Sequence, residues 1–283
     1  MESLFNPATV SRRELFEWTL RVLNTYGVRP RKKLSQNFVV EPRLIGEILE
    51  NIAPVDTVEI GCGIGTLSLA LLTRVPRLLC VEIDRRLCEV AVDIVKSPRF
   101  TVVNADADKY TPGAEQVVSN IPYHVTSDLL VKVARANRVK RAVLTLQREV
   151  AERLTAKPGS RTYGKLTILV NTLFRVTQGG VYTPASFYPE PEVFHGVVVL
   201  ERKREYDEDV CALEELTRSL FRERRKLVEK VLARRLGVRV ENLGPLGGVI
   251  AGKRVFMLSS EALLELAKTL REMGVIACEQ SPD

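Results

Sequence analysis

"VEIGCGIGTLSLAL", residues 58 to 71, decides how the rest of the chain is read. An apolar, β-branched run stops at Gly61, glycines follow at 63 and 65, and a segment of helical spacing begins at Thr66. This is a strand turning sharply into a helix, with backbone free to curl and peptide N–H groups exposed to a ligand at the helix start. Outward from it lie the strand-like runs "TVEI" (57–60), "LLCVEI" (78–83), "FTVV" (100–103), "QVVSN" (116–120) and "RAVLTLQ" (141–147). Helical periodicity begins between them at about Thr66, Arg85 and Thr126. Such alternation predicts a parallel sheet covered by helices on both faces.

Two amphipathic helices, Arg12 to Tyr26 and Pro42 to Ile52, are expected to lie over the carboxyl edge of that sheet. After residue 160 the runs "TILVNTLFRVT" and "GVVVL" read as strands that complete the sheet with an antiparallel pair. At "ERKREYDED" (201–209) the composition turns charged, and beyond it the apolar runs have helical spacing. The domain boundary is placed there, giving a ligand-binding domain at 1–203 and a helical domain at 204–283.

The 283 residues are 45% hydrophobic and carry a formal net charge of +7, enough for a large core domain plus a smaller one. No apolar run reaches membrane-spanning length and the N-terminus has no signal-peptide core, so a cytoplasmic protein is expected. Basic clusters at "RPRKK" (29–33) and "RERRK" (222–226) suit a phosphate-bearing partner, although a solvated basic face has the same composition. The five cysteines are scattered with no C-x-x-C pair, so neither a zinc site nor a disulfide frame is expected.

The glycine loop departs from the dinucleotide fingerprint, because Thr66 stands where that pattern wants glycine. With Glu59 just before it, G-x-G-x-G better fits a nucleoside ligand without phosphates. Glu82, ending the second strand, is placed to accept both hydroxyls of a ribose. Asp106, in "NADAD" past the third strand, is placed to accept from an adenine amino group. Each residue alone has an ordinary explanation as a turn or cap; in order at successive strand ends they describe an adenosine pocket, and S-adenosylmethionine is the common ligand of that description.

"NIPY" (120–123) ends the fourth strand beside that pocket. A turn accounts for Asn and Pro, but not for the Tyr. The exocyclic amine of a nucleobase is a poor nucleophile, since its lone pair is delocalised into the ring. The Asn120 side-chain oxygen and the Ile121 backbone carbonyl can accept its two protons and aim the lone pair at a methyl donor. Pro122 stiffens the turn, Tyr123 offers a stacking face, and Phe187 is placed to close the other face. No strong general base is needed, and the target base must leave any helix it occupies.

On these residues the chain resembles the rRNA adenine N6,N6-dimethyltransferase family (KsgA type) from about residue 20 onward. "KKLSQNF" (32–38), the glycine loop, "VEID", "NIPY", "LQREVAERLTAKPGSRTYGKL" (146–166) and "FYPEPEV" (187–193) carry the resemblance. It implies a Rossmann-like class I methyltransferase sheet with a small helical C-terminal domain. Gln36 and Asn37 would hold the methionine end of the cofactor, Gly61, Gly63 and Gly65 line it, Glu82 take the ribose, and Asp106 read the adenine. The Asn120 turn would orient the target amine, with Tyr123 and Phe187 on the target base.

The implied reaction is dimethylation of two adjacent adenosines near the 3′ end of small-subunit rRNA, on rRNA or a pre-small subunit, by a monomer. The segment "FRERRKLVEKVL" (221–232) resembles the family's rRNA-docking region. Two positions depart from the pattern: Ser35 stands where glycine is usual and His195 where serine is usual. Ser35 is tolerable unless that position needs positive φ, and His195 is expected to cap or pack beside a strand. The rival readings are a methyltransferase of large-subunit rRNA or DNA, and an RNA-binding ribosome-assembly factor with little or no methyl transfer.

Overall fold

A computed structural model describes residues 5–278; the first four residues of the N-terminal stretch read above lie outside the described residues. In chain order the elements are α1 (Arg12–Thr25), β1 (Phe38–Val39), α2 (Pro42–Asn51), β2 (Thr57–Ile60) and α3 (Thr66–Leu71). Next come β3 (Leu78–Glu82), α4 (Arg85–Val95), β4 (Phe100–Asn104), β5 (Gln116–Asn120), α5 (Thr126–Arg135) and β6 (Arg141–Gln147). The chain continues through α6 (Arg148–Leu154), α7 (Lys165–Leu173), β7 (Phe174–Tyr182), β8 (Phe187–Tyr188) and β9 (His195–Arg202). It ends with α8 (Glu208–Leu220), α9 (Val228–Leu236), α10 (Pro245–Ile250) and α11 (Ser260–Glu272).

Local chemistry explains the starts. Ser11 and Glu14 form a capping box on α1, Pro42 occupies the first turn of α2, and Asp84, Asp207 and Ser259 cap α4, α8 and α11. The main sheet has the order β4-β3-β2-β5-β6-β9-β7. From β4 to β6 all pairings are parallel, and β9 runs antiparallel to β6. The inner strands β3, β2, β5, β6 and β9 bury nearly every residue, as strands covered on both faces must, while the edge strands β4 and β7 are largely exposed; Val118, Val143 and Val199 meet Leu44, Ile45 and Ile48 of α2.

Chain order reverses at β2, whose neighbours are β3 on one side and β5 on the other. Ligands collect at such a point, outside the carboxyl ends of the strands. The register brings those ends level: Ile60 pairs with Ser119, and Glu82 with Asn104.

Two expectations are corrected, and one open condition is met. "TILVNTL" lies in helix α7, not a strand: its β-branched residues pack into the interior, and an apolar run buried all round carries no period to separate helix from strand. Only from Phe174 does the chain become strand. Second, the cysteines do pair, Cys62 with Cys80 at 6.0 Å between Cα atoms and Cys211 with Cys278 at 5.4 Å, leaving Cys88 buried and free. Adjacency of β2 and β3 makes the first pair, a relation that spacing along the chain does not carry. Third, Ser35 does occupy left-handed backbone, with φ 50 and ψ 38, which costs roughly 1 kcal/mol relative to glycine.

The chain divides into two compact units, residues 1–151 with 176–202, and residues 152–175 with 203–283. The expected boundary at 203/204 matches the last passage between units, while 152–175 belongs with the C-terminal helices. The core of the second unit explains this grouping, since Tyr163 and Ile168 are buried in it with Leu213, Leu216, Val231 and Leu266. Cys211–Cys278 closes the same unit. No helix among the described residues is long and apolar enough to cross a membrane.

Candidate active site

A cleft of about 860 Å³, open to solvent, runs along the carboxyl ends of β4, β3, β2 and β5. Gln36, Asn37, Glu59, Gly61, Gly63, Glu82, Asp106, Asn120 and Pro122 line it. Gly65 does not. It sits behind the loop at φ +83, where a Cβ would stand 3.0 Å from Val95, so its service is to pack α3 against α4.

The loop is shaped by glycines at φ +77 (Gly61) and +57 (Gly63), and a Cβ on Gly63 would meet the Phe38 ring at 3.0 Å. Cys62, between them, is tied to Cys80 in β3. Ser119 Oγ donates to the Ile60 carbonyl at 2.7 Å, holding β5 to β2 just below the loop.

Glu82 is buried. Its carboxylate accepts from the Gly63 and Asp84 N–H groups at 3.0 and 2.9 Å, so one acid spans the loop and the start of α4. Burial raises its pKa, with those backbone N–H groups pulling the other way. The Asn104 amide donates to the carbonyls of Glu82 and Ile83 at 2.9 and 3.0 Å, fixing the strand end. Asp106 caps a short turn by accepting from the Asp108 N–H at 3.0 Å. Glu59 lies beneath the loop, 1% exposed; burial pushes its pKa to about 8, while a 2.5 Å hydrogen bond from Ser68 opposes the shift.

Gln36 is already engaged: its amide donates to Asp84 at 3.0 Å and accepts from the Arg31 N–H at 2.8 Å. It anchors the leading segment to the cap of α4. Asn37 joins the cleft to the catalytic turn, since its amide donates to the Tyr123 hydroxyl at 3.2 Å and its carbonyl accepts from Asn120 Nδ2 at 2.9 Å. That last bond fixes the Asn120 amide with its nitrogen committed and Oδ1 available as an acceptor.

Beyond Asn120, the Ile121 N–H donates to Thr145 at 3.1 Å and the Pro122 carbonyl accepts from the Val125 N–H at 3.2 Å. Tyr123 is half-buried, and burial holds its phenol up to about 12, so it stays protonated. Phe187 is almost fully buried, its ring 4.5 Å from the His195 ring, which in turn lies 5.5 Å from Tyr123. The two rings expected on opposite faces of a base are thus linked through His195.

Several lining residues had no signal in the sequence reading. Phe38, Thr66, Ile83 and Val125 are ordinary core-type residues, brought to the cleft by strand ends that only the fold aligns. Thr66 Oγ1 is buried with no partner, a polar atom left for a ligand to meet. Among the described residues the lining contains Glu59, Glu82 and Asp106 and no Lys, Arg or His. A cleft without a basic side chain to hold phosphates suits a nucleoside that carries none.

The family model for ribosomal RNA adenine dimethylase matches residues 27–272. A probable ribosomal RNA small subunit methyltransferase A of Pyrococcus furiosus is 33% identical over 266 residues, 90% of this chain and 97% of its own length. Among solved structures, a dimethyladenosine transferase from Plasmodium falciparum superposes with a TM-score of 0.73 at 25% identity, covering 85% of this chain and 99% of that one. The 23S rRNA methyltransferase ErmE superposes with a TM-score of 0.65 at 26% identity, covering 83% and 100%.

Proposed function

The chain belongs to the ribosomal RNA adenine dimethylase family, and from that premise we propose how its residues act. The protein is an rRNA adenine N6-dimethyltransferase that uses S-adenosylmethionine. We assign its substrate as two adjacent adenosines near the 3′ end of small-subunit rRNA, presented on a pre-small subunit. Relatives named for the small subunit match at 33% identity over 90% of the chain, and this likeness supports the small subunit.

One observation supports the site assignment: a cleft lined by acids and, among the described residues, by no basic side chain lies beside an Asn amide whose nitrogen is committed to the Asn37 carbonyl. When bound, S-adenosylmethionine supplies a methyl group on a sulfonium. Glu82 would take the ribose hydroxyls with lone pairs left over from the Gly63 and Asp84 N–H groups, Asp106 would read the cofactor adenine, and Thr66 with the loop N–H groups would hold the methionine end. Asn37 acts as the strut between cofactor and acceptor, and Gln36 braces it.

The flipped adenine stacks on Tyr123. Asn120 Oδ1 accepts one N6 proton and the Ile121 carbonyl the other, because the Pro122 carbonyl is occupied by Val125. With both protons held, the N6 lone pair would be left directed at the methyl group that S-adenosylmethionine supplies, and the alkylated amine would lose its proton to water. The basic residues Arg29, Lys32 and Lys33, exposed next to the Leu34–Asn37 stretch of the cleft, are placed for rRNA phosphates. The protein works in the cytoplasm as a monomer in this reading.

The test is transfer of labelled methyl from S-adenosylmethionine to small ribosomal subunits lacking the modification, with large subunits and naked rRNA as controls. Dimethyladenosine from small subunits alone is expected. Cofactor binding without any transfer would replace this reading with the assembly-factor one, and product on large subunits would redirect it to the other rRNA.

A further inference from the structure

Between β4 and β5 the chain carries no α-helix, only a single 3₁₀ turn at Ala107–Lys109, and Asp106 and Ala107 line the cleft there. The Asp106 carboxylate accepts from the Asp108 N–H at 3.0 Å, so one peptide group places the acid assigned to the cofactor adenine. The other end of that same peptide is the Ala107 carbonyl, which accepts from Lys132 Nζ at 3.0 Å. Lys132 also donates to the Asp108 carbonyl. A peptide group is planar, so a cation holding its oxygen sets the direction in which its N–H points. Lys132 thus reaches the Asp106 carboxylate through one rigid link. Among the described residues, the hydrogen bonds of this turn to another element are the two from Lys132.

Lys132 stands in α5, the helix that follows the Asn120 turn. Thr126 opens that helix, and its hydroxyl donates to the Pro122 carbonyl at 3.3 Å. Lys132 lies in the second turn of the helix, about 9 Å further along the axis. One short helix therefore spans the distance from the turn assigned to the target amine to the turn assigned to the cofactor adenine. A lysine on a helix flank ordinarily leaves its ammonium in water; this one is partly buried and commits its donors to backbone carbonyls.

Resting on the reading of Asp106 as the acid that meets the cofactor adenine, we propose that Lys132 is a positioning residue for cofactor recognition. It holds the Ala107–Asp108 peptide, aims the Asp106 carboxylate at the 6-amino group of the purine, and keeps that turn in register with the acceptor turn. It touches neither the cofactor nor the target base. Without it the acid remains but is no longer aimed, so the loss falls on selectivity for the base of the cofactor as well as on affinity.

The test compares S-adenosylhomocysteine with S-inosylhomocysteine, which carries a 6-oxo group in place of the 6-amino group, by calorimetry. Wild type should favour the adenine form by about tenfold or more, because a 6-oxo group has no proton to give a carboxylate. Lys132→Met keeps the stem and removes the donors. It is expected to weaken S-adenosylhomocysteine about tenfold and to narrow the preference to about threefold or less. Lys132→Arg, which keeps a cation for the carbonyls, is expected to recover most of both. In turnover on small subunits the Lys132→Met change should appear in KM for S-adenosylmethionine, with kcat altered less than about threefold.

Wild-type affinity in Lys132→Met, or equal weakening of both ligands with the preference retained, would overturn the proposal and leave Lys132 as scaffold. A wild type that binds both ligands alike would remove the role of Asp106 and this proposal with it. Absence of methyl transfer by the wild type bears on the enzyme assignment alone, and the binding ratios still decide for or against Lys132.

Discussion

Asn120 donates its amide nitrogen to the Asn37 carbonyl, and that single bond decides which end of the amide faces the acceptor slot. Asn120→Ala should lower methyl transfer by about 10²–10³, the usual cost of losing one preorganised polar group aimed at the reacting centre. Cofactor affinity by calorimetry should stay within a few fold. Near-normal transfer in that variant would remove Asn120 from the chemistry. The turn at this strand end was legible in the sequence, because Asn-Ile-Pro-Tyr is more than a plain turn requires. The Asn37 strut was only partly legible, since half of its work is done by a backbone carbonyl.

Glu59 gives a pH signature. Its folded pKa of about 8 lies above the 4.5 of a solvated glutamate, so between those values the native state binds more protons than the unfolded chain. Stability from this group is full below about pH 4.5 and is lost as pH rises through about 8. Glu59→Gln keeps an acceptor for Ser68 and removes the titration. Melting curves at pH 5, 7 and 9 should show the wild type falling progressively behind the variant, and parallel trends would show that Glu59 is not buried as a neutral acid.

Among the elements, the glycine loop is the most constrained. Gly63 has φ +57 and no room for a Cβ beside Phe38, so Gly63→Ala must both strain the backbone and move that ring. A loss of about 1–3 kcal/mol in stability and at least tenfold in S-adenosylmethionine affinity is expected. Unchanged affinity by titration would show that the loop does not cradle the cofactor. The alternating strands and helices around this loop were readable because their apolar periods are clean. Helix α7 was not, because burial on all sides erases the period. The Cys62–Cys80 bond was equally hidden, being made by two neighbouring strands and by no motif.

For the whole molecule, the basic cluster at 222–226 divides by its contacts. Arg224 donates to the Ser160 and Arg161 carbonyls at 3.0 and 3.1 Å and lies over the Phe256 ring, so it belongs to the structure of its unit. Arg222, Arg225 and Lys226 are exposed. Changing these three to Glu should weaken binding to small subunits and make the plot of log affinity against log salt shallower by ~2 units. An unchanged slope would take this segment off the rRNA surface. The charge run was visible in the sequence, whereas its division into bracing and free cations depends on contacts with residues sixty positions upstream.

The second unit draws residues 152–175 from the middle of the chain and 203–283 from its end. A fragment beginning at residue 204 would therefore lack Tyr163 and Ile168 and open the core they help to fill. The chain cannot be taken apart with one cut, and the C-terminal unit is not a cassette that a single recombination joint could exchange between relatives. Any graft meant to give this sheet another family member's helical unit needs three splice points, at about 151, 176 and 203, so that the borrowed helices arrive with the 152–175 segment they fold around.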